Sequence, residues 1–88
     1  MSSAVLVAVM RYLCRHKSVG VFRLVDDVAK IKEVRQALGL GHAPPPGTQE
    51  WWRAYHVVVE AIKKLEAHKL AKYVSDVGVV NWEGGRCL

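Results

Sequence analysis

The stretch TQEWWRAYHVVVEAIKKLEAHKL, residues 48–70, constrains this chain more than any other. Wound at 3.6 residues per turn, it sets Trp51, Trp52, Ala54, Tyr55, Val58, Val59, Ala61, Ile62 and Leu65 over about half of a helix's circumference. The other half carries Gln49, Arg53, His56, Val57, Glu60, Lys63, Lys64 and Ala67. Thr48 is a good N-cap, because its hydroxyl can accept a first-turn amide proton. A helix this apolar on one side must be covered by the rest of the chain. Only 88 residues are available, and a chain of that length buries about 60% of its unfolded surface. The expectation is one domain over residues 1–88, with its core spanning 4–83 and the long helix as its main element. A hydrophobic fraction of 51% is enough for that core and speaks against disorder.

Upstream, Ser2 or Ser3 caps a first helix that runs to about His16, with Val5, Leu6, Val9, Met10, Tyr12 and Leu13 on one face. Arg11 and Arg15, four apart, share another side. Val7 and Cys14 fall outside the apolar arc, so this helix is apolar nearly all round. Either it is packed on two sides or it meets another chain. Val7, Met10 and Cys14 are therefore the candidate contacts of a homodimer.

Gly20 then breaks the helical rhythm, and VFRLV, residues 21–25, reads as a short strand. Asp26 or Asp27 caps a second helix whose inner face carries Val28, Ile31, Val34 and Leu38. Gly39 ends that helix as a left-handed residue, with Leu40 available for the apolar contact beyond it. GHAPPPGT, residues 41–48, is a rigid connector, since its prolines forbid helix and favour an extended path. After Leu70 the rhythm changes again. AKYVSDVGVVNW, residues 71–82, sets β-branched and aromatic runs on either side of a Ser75–Gly78 turn, which is a hairpin pattern. EGGRCL closes the chain, and residues 84–88 read as a frayed tail.

Thirteen Lys and Arg against eight Asp and Glu give a net charge of +5. That bias is compatible with a nucleic-acid partner without requiring one. The excess lies at the front, where Arg11, Arg15, Lys17 and Arg23 meet no acid before Asp26. Cys14 and Cys87 form no CxxC, and their positions at opposite ends do not make a disulfide framework, so a reducing, cytoplasmic compartment is expected. The opening MSSAVLVAVM is too short to span a bilayer and lacks a signal peptide's pattern. Three Asn and Gln in the whole chain hint at a thermophilic source.

Helix, short strand, helix, helix and hairpin is an order that resembles the winged-helix variant of the helix-turn-helix family, over about residues 4–83. The sharpest local feature is AIKKLEAHKLAKYV, residues 61–74. Archaeal and bacterial regulators of that family often end the recognition helix in a similar way, with Leu-Glu followed two residues later by Gly-Leu and the first wing strand. Leu65, Glu66 and Leu70 match, and Lys69 stands where the glycine is usual. The connector of about eight residues also departs from the family's turn of three or four.

The resemblance implies an α+β, mainly helical fold: a three-helix winged helix-turn-helix with a C-terminal β-hairpin wing. It further implies a small DNA-binding protein, a transcription regulator that reads double-stranded DNA with helix 48–69. Arg53 would then address guanine and Gln49 adenine, with His56 on the same face. Lys63 and Lys64 would meet phosphates. Lys72 is the cation nearest the wing together with Arg86, and Arg11, Arg15 and Lys17 would add phosphate contacts. Glu60, at the centre of this face, fits an i to i+3 or i+4 pair with Lys63 or Lys64. A homodimer would read two half-sites. The competing class is a protein-docking module of the same fold within a larger nucleoprotein assembly. Stacking of RNA or single-stranded DNA on Trp51 and Trp52 ranks below both, because core packing with one indole partly exposed explains those rings.

An enzyme is not expected. His16, His42, His56 and His68 form no metal box, and no Cys and His pair stands at zinc-finger spacing. No nucleophile has a base beside it in any known pattern, and the glycines make no phosphate loop. No cofactor and no membrane partner are implied.

Overall fold

A computed structural model describes residues 3–87 of the chain. Its elements are α1 (Ser3–His16), β1 (Ser18–Gly20), α2 (Val21–Val28), α3 (Lys32–Leu38), α4 (Gln49–Ala67), β2 (Ala71–Val74) and β3 (Val79–Trp82). The fold is α+β and mainly helical, with four helices and one antiparallel sheet of order β1-β3-β2. None of the helices is long and apolar enough, among the described residues, to cross a membrane.

The core forms where α1 crosses α4. Val5, Val9 and Leu13 of α1 and Val58, Ala61 and Ile62 of α4 are fully buried. The first helix also packs against α2, α3, β1 and β3. Most of its apolar circumference is thus covered inside one chain, Val7 apart. Of the three proposed dimer contacts on α1, Val7 is exposed, Met10 packs half-buried against the core, and Cys14 is buried. The candidate cap Ser2 lies outside the described residues.

The segment 21–25 is helix and not strand. Val21, Leu24, Val25 and Val28 are all buried, and their spacing of i, i+3, i+4 and i+7 is a helical period. The strand falls just before it, where Ser18, Val19 and Gly20 pair with Asn81, Val80 and Val79. Asp26 and Asp27 consequently lie inside α2 and cap nothing. They form i to i+4 pairs, Arg23 with Asp27 at 3.5 Å and Lys30 with Asp26 at 3.3 Å. The expected second helix is divided into α2 and α3, joined through Ala29–Ile31. Gly39 ends α3 in the left-handed region at φ 71°, as expected, and the amide of Leu40 reaches back to the Arg35 carbonyl at 2.8 Å.

The hairpin matches its sequence pattern. β2 and β3 pair with Tyr73 opposite Val80, and Val80 is fully buried. Gly78, at φ 66°, closes the turn. Its carbonyl accepts the amide of Val21 at 2.7 Å, which satisfies one of the orphan first-turn donors of α2. The hairpin is also pinned to α4, because the Glu66 carboxylate accepts the Tyr73 amide at 3.0 Å.

The tail is tied down and not frayed. Cys87 is disulfide-bonded to Cys14, with Cα atoms 5.4 Å apart. Gly85 presents its carbonyl to the Trp82 indole N–H at 2.8 Å and to the Lys17 ammonium at 3.3 Å. Because β3 returns alongside α1, residues 73 positions apart in sequence meet in space. The expectation of two unpaired cysteines is therefore corrected. Leu88 lies outside the described residues.

Candidate functional site

The outward side of α4 is set by its first turn. The Thr48 hydroxyl accepts the Trp51 amide at 3.3 Å and donates to the Pro45 carbonyl at 2.8 Å, so one side chain caps the helix and anchors the proline connector. Helix phase then leaves Gln49, Arg53, His56, Glu60, Lys63 and Lys64 exposed. Arg53, Glu60 and Lys64 fall within about 20° of one line, with Gln49 and His56 beside it. Gln49, Arg53 and His56 come together around an open groove of about 630 Å³ that Glu50 and Trp52 also line.

Arg53 is not a free guanidinium. Its Nη2 donates to the Leu38 carbonyl at 2.8 Å, and that carbonyl is one of the unsatisfied acceptors at the end of α3. The contact fixes the spacing of α3 and α4 across the connector and leaves the rest of the guanidinium facing out. Lys63 pairs with Glu60 at 3.5 Å, as the spacing predicts. Both groups are well exposed, so this pair adds little stability; its effect is to cancel charge at mid-helix.

The remaining sequence-predicted cations lie in separate groups. Arg11 and Arg15 line an open groove of about 700 Å³ on the outer side of α1, together with Val7, Glu33, Cys14 and Cys87. Arg86 is exposed next to Cys87, whose disulfide to Cys14 lies at this groove. Lys17 sits at φ 67° just past α1, and its ammonium is held by Gly85. Lys72 is exposed on β2, opposite Asn81. The hairpin turn presents Asp76 and a 70%-exposed Val77, and no cation.

The strand reading of residues 21–25 hides the partner of the exposed indole, because Phe22 lies in α2. Trp51 is buried, but Phe22 is 57% exposed and Trp52 43% exposed. Their centroids are 6.2 Å apart, edge to face, and Tyr55 packs against both at 5.9 Å and 5.2 Å. Reading residues 21–28 as a helix would have found it, since Phe22 then falls more than a right angle from the buried side. Beneath this surface the buried Trp51 indole N–H meets no acceptor among the described residues.

The titrating groups with shifted values are structural. The Asp27 carboxyl is held below its ordinary value, chiefly by the Tyr12 hydroxyl bonded to it and further by Arg23 and Lys30. Tyr12 and Tyr73 are raised, each mainly by burial. Among the described residues no three His, Cys, Asp or Glu side chains converge on a cation-sized space. The exposed features are a polar helix stripe, a groove lined by Arg11 and Arg15, and an exposed aromatic pair. No family model matches the chain, and no curated protein or solved structure is significantly similar to it.

Proposed function

We propose that this chain is a winged-helix DNA-binding protein, a small transcription regulator that lays α4 in the major groove of double-stranded DNA. In this reading α2, α3 and α4 are the helix-turn-helix, extended by the proline connector, and β2 with β3 is the wing. The observation that carries it is the exposed stripe of α4 running directly into the hairpin. Gln49 and Lys64 on that stripe make no side-chain hydrogen bond within the described residues, so their donors are open to a ligand. Gln49, Arg53 and His56 read base edges, with Arg53 aimed by the Leu38 carbonyl. Lys63, Lys64 and Lys72 meet phosphates on one side, and Arg11, Arg15 and Lys17 add charge from α1. Such a protein works in the cytoplasm as a homodimer. A disulfide there is at home in hyperthermophiles, in keeping with the scarcity of Asn and Gln.

The alternative is a winged-helix docking module within a larger nucleoprotein assembly. It is favoured by the Glu60–Lys63 pair at mid-helix and by a wing turn without cations. Titration of mixed-sequence duplex DNA at about 50 and 200 mM salt separates the two. The regulator loses affinity steeply with salt, and Lys63→Ala with Lys64→Ala lowers the salt slope by about two. Gln49→Ala relaxes sequence preference with little change in that slope. No binding at the lower salt rejects the regulator and leaves the docking module.

A further inference from the structure

Phe22 and Trp52 are large apolar side chains left exposed side by side, 57% and 43% open. The other exposed large hydrophobics, Val7 and Val77, stand apart on α1 and in the hairpin turn. Phe22 lies in the first turn of α2 and Trp52 in the first turn of α4, with Pro46 and Gly47 beside them. Both rings are braced from below by Trp51, at 5.9 Å and 4.9 Å. Rings already in contact leave no slot between them for a cation or an inserted base. They form a rigid apolar platform, the kind of surface that loses little side-chain freedom when covered and anchors protein interfaces.

The charges around the platform decide what covers it. Arg23 and Asp26 flank Phe22 on α2, and Glu50 and Arg53 flank Trp52 on α4. Two cations and two carboxylates cancel, so the chain's net +5 lies on its other faces. A polyanion is therefore drawn elsewhere and gains little here. For a second copy the preference is reversed. It is repelled by the basic faces and meets here a neutral surface with both signs interspersed, which a two-fold axis can set against itself.

We infer that the α2–α4 platform is where a second copy of this chain docks, with Phe22 and Trp52 of each copy packed across a two-fold axis. The dimer contact thus moves from α1, where Arg11 and Arg15 flank Val7 and repel their own images. Trp52 projects about 100° around α4 from Arg53, so the line through Arg53, Glu60 and Lys64 stays open beside the interface. The inference does not rest on DNA binding and is tested without DNA.

Light scattering on the intact chain, followed across a wide concentration range, reads the outcome directly. The mass rises toward twice 9.8 kDa. Phe22→Ser and Trp52→Ser each raise the midpoint concentration by about tenfold or more, while Val7→Lys leaves it unchanged. Both aromatic positions are exposed, and circular dichroism checks that the variants stay folded. A monomer mass at every concentration overturns the inference. So does association that survives both aromatic substitutions and disappears with Val7→Lys. Quenching of tryptophan fluorescence by single-stranded oligonucleotide, lost in both aromatic variants of a monomeric chain, assigns the platform to nucleobases and likewise overturns it.

Discussion

At Tyr12 one hydroxyl links α1 to α2. It donates to Asp27 Oδ2 at 2.5 Å, the oxygen that Arg23 Nε also approaches at 3.5 Å. The ring itself is buried and stacks on His16 at 4.0 Å. A hydrogen bond from a buried hydroxyl to an ionised acceptor contributes about 1.5 kcal/mol, so Tyr12→Phe should cost about that much at neutral pH. The pH dependence follows from the two shifts. Asp27 is lowered from 3.8, so its contribution is present above the ordinary carboxylate value and is lost as pH falls through the lowered one. Tyr12 is raised from 10.0, so its contribution is present below that value and is lost as pH rises through the raised one. Urea unfolding of wild type and Tyr12→Phe at neutral pH and below about pH 3 measures the effect. The gap between them should narrow in acid, and a gap that stays constant would mean that Asp27 is not the group responsible.

Two helix ends in this fold have the same design with different residues. α3 stops at Gly39, with Leu40 bonded back to Arg35 at 2.8 Å and Gly39 to Gln36 at 3.2 Å. α4 stops at Lys69, with Leu70 bonded back to Leu65 at 2.9 Å and Lys69 to Glu66 at 2.9 Å. Lys69 adopts φ 61° where Gly39 adopts 71°. A left-handed side-chain-bearing residue costs roughly 1–2 kcal/mol, partly offset because glycine loses more chain entropy on folding, roughly 0.5–1 kcal/mol. Lys69→Gly should therefore stabilise the chain by about 0.5 kcal/mol, and Gly39→Ala, with open space around the new Cβ, should destabilise it by about 1 kcal/mol. Denaturant midpoints of the two variants must move in opposite directions; a loss of stability in Lys69→Gly would show that the lysine side chain itself holds the exit of α4. These ends were legible in the sequence because they depend on a few neighbouring residues, as do the Thr48 cap, the hairpin turn and the Glu60–Lys63 pair. The start of α2 was not. Its β-branched composition favours a strand, while its spacing favours a helix, and only packing of Val21, Leu24, Val25 and Val28 into the core decides between them. The exposed stripe of α4 was likewise visible from phase alone, but Arg53 bonded to Leu38 depends on how two helices cross. The aromatic platform depends on Phe22 and Trp52 meeting from different helices.

At the scale of the whole chain the disulfide outweighs any single contact. Sequence position alone argued against it, because nothing local tells that the last strand lays the tail along the first helix. Yet Cys14 and Cys87 close a loop of 73 residues, nearly the full length of the protein. In the chain-entropy account a loop of that size stabilises the fold by about 4 kcal/mol, by restricting the unfolded ensemble. A domain of this length has a total stability on the order of 4–13 kcal/mol, so the bond supplies a third or more of it. It also ties the tail to α1 at the groove that Arg11 and Arg15 line, so its loss would loosen that contact as well as the fold. Urea unfolding with and without reductant should differ by about 4 kcal/mol, and Cys14→Ser with Cys87→Ser should follow the reduced curve in oxidising buffer. Because the cross-linked unfolded chain is more compact, the oxidised protein should also unfold with the smaller dependence on denaturant. Superimposed curves with equal slopes would mean that the tail is held by its Trp82 and Lys17 hydrogen bonds to Gly85, with the covalent link contributing nothing.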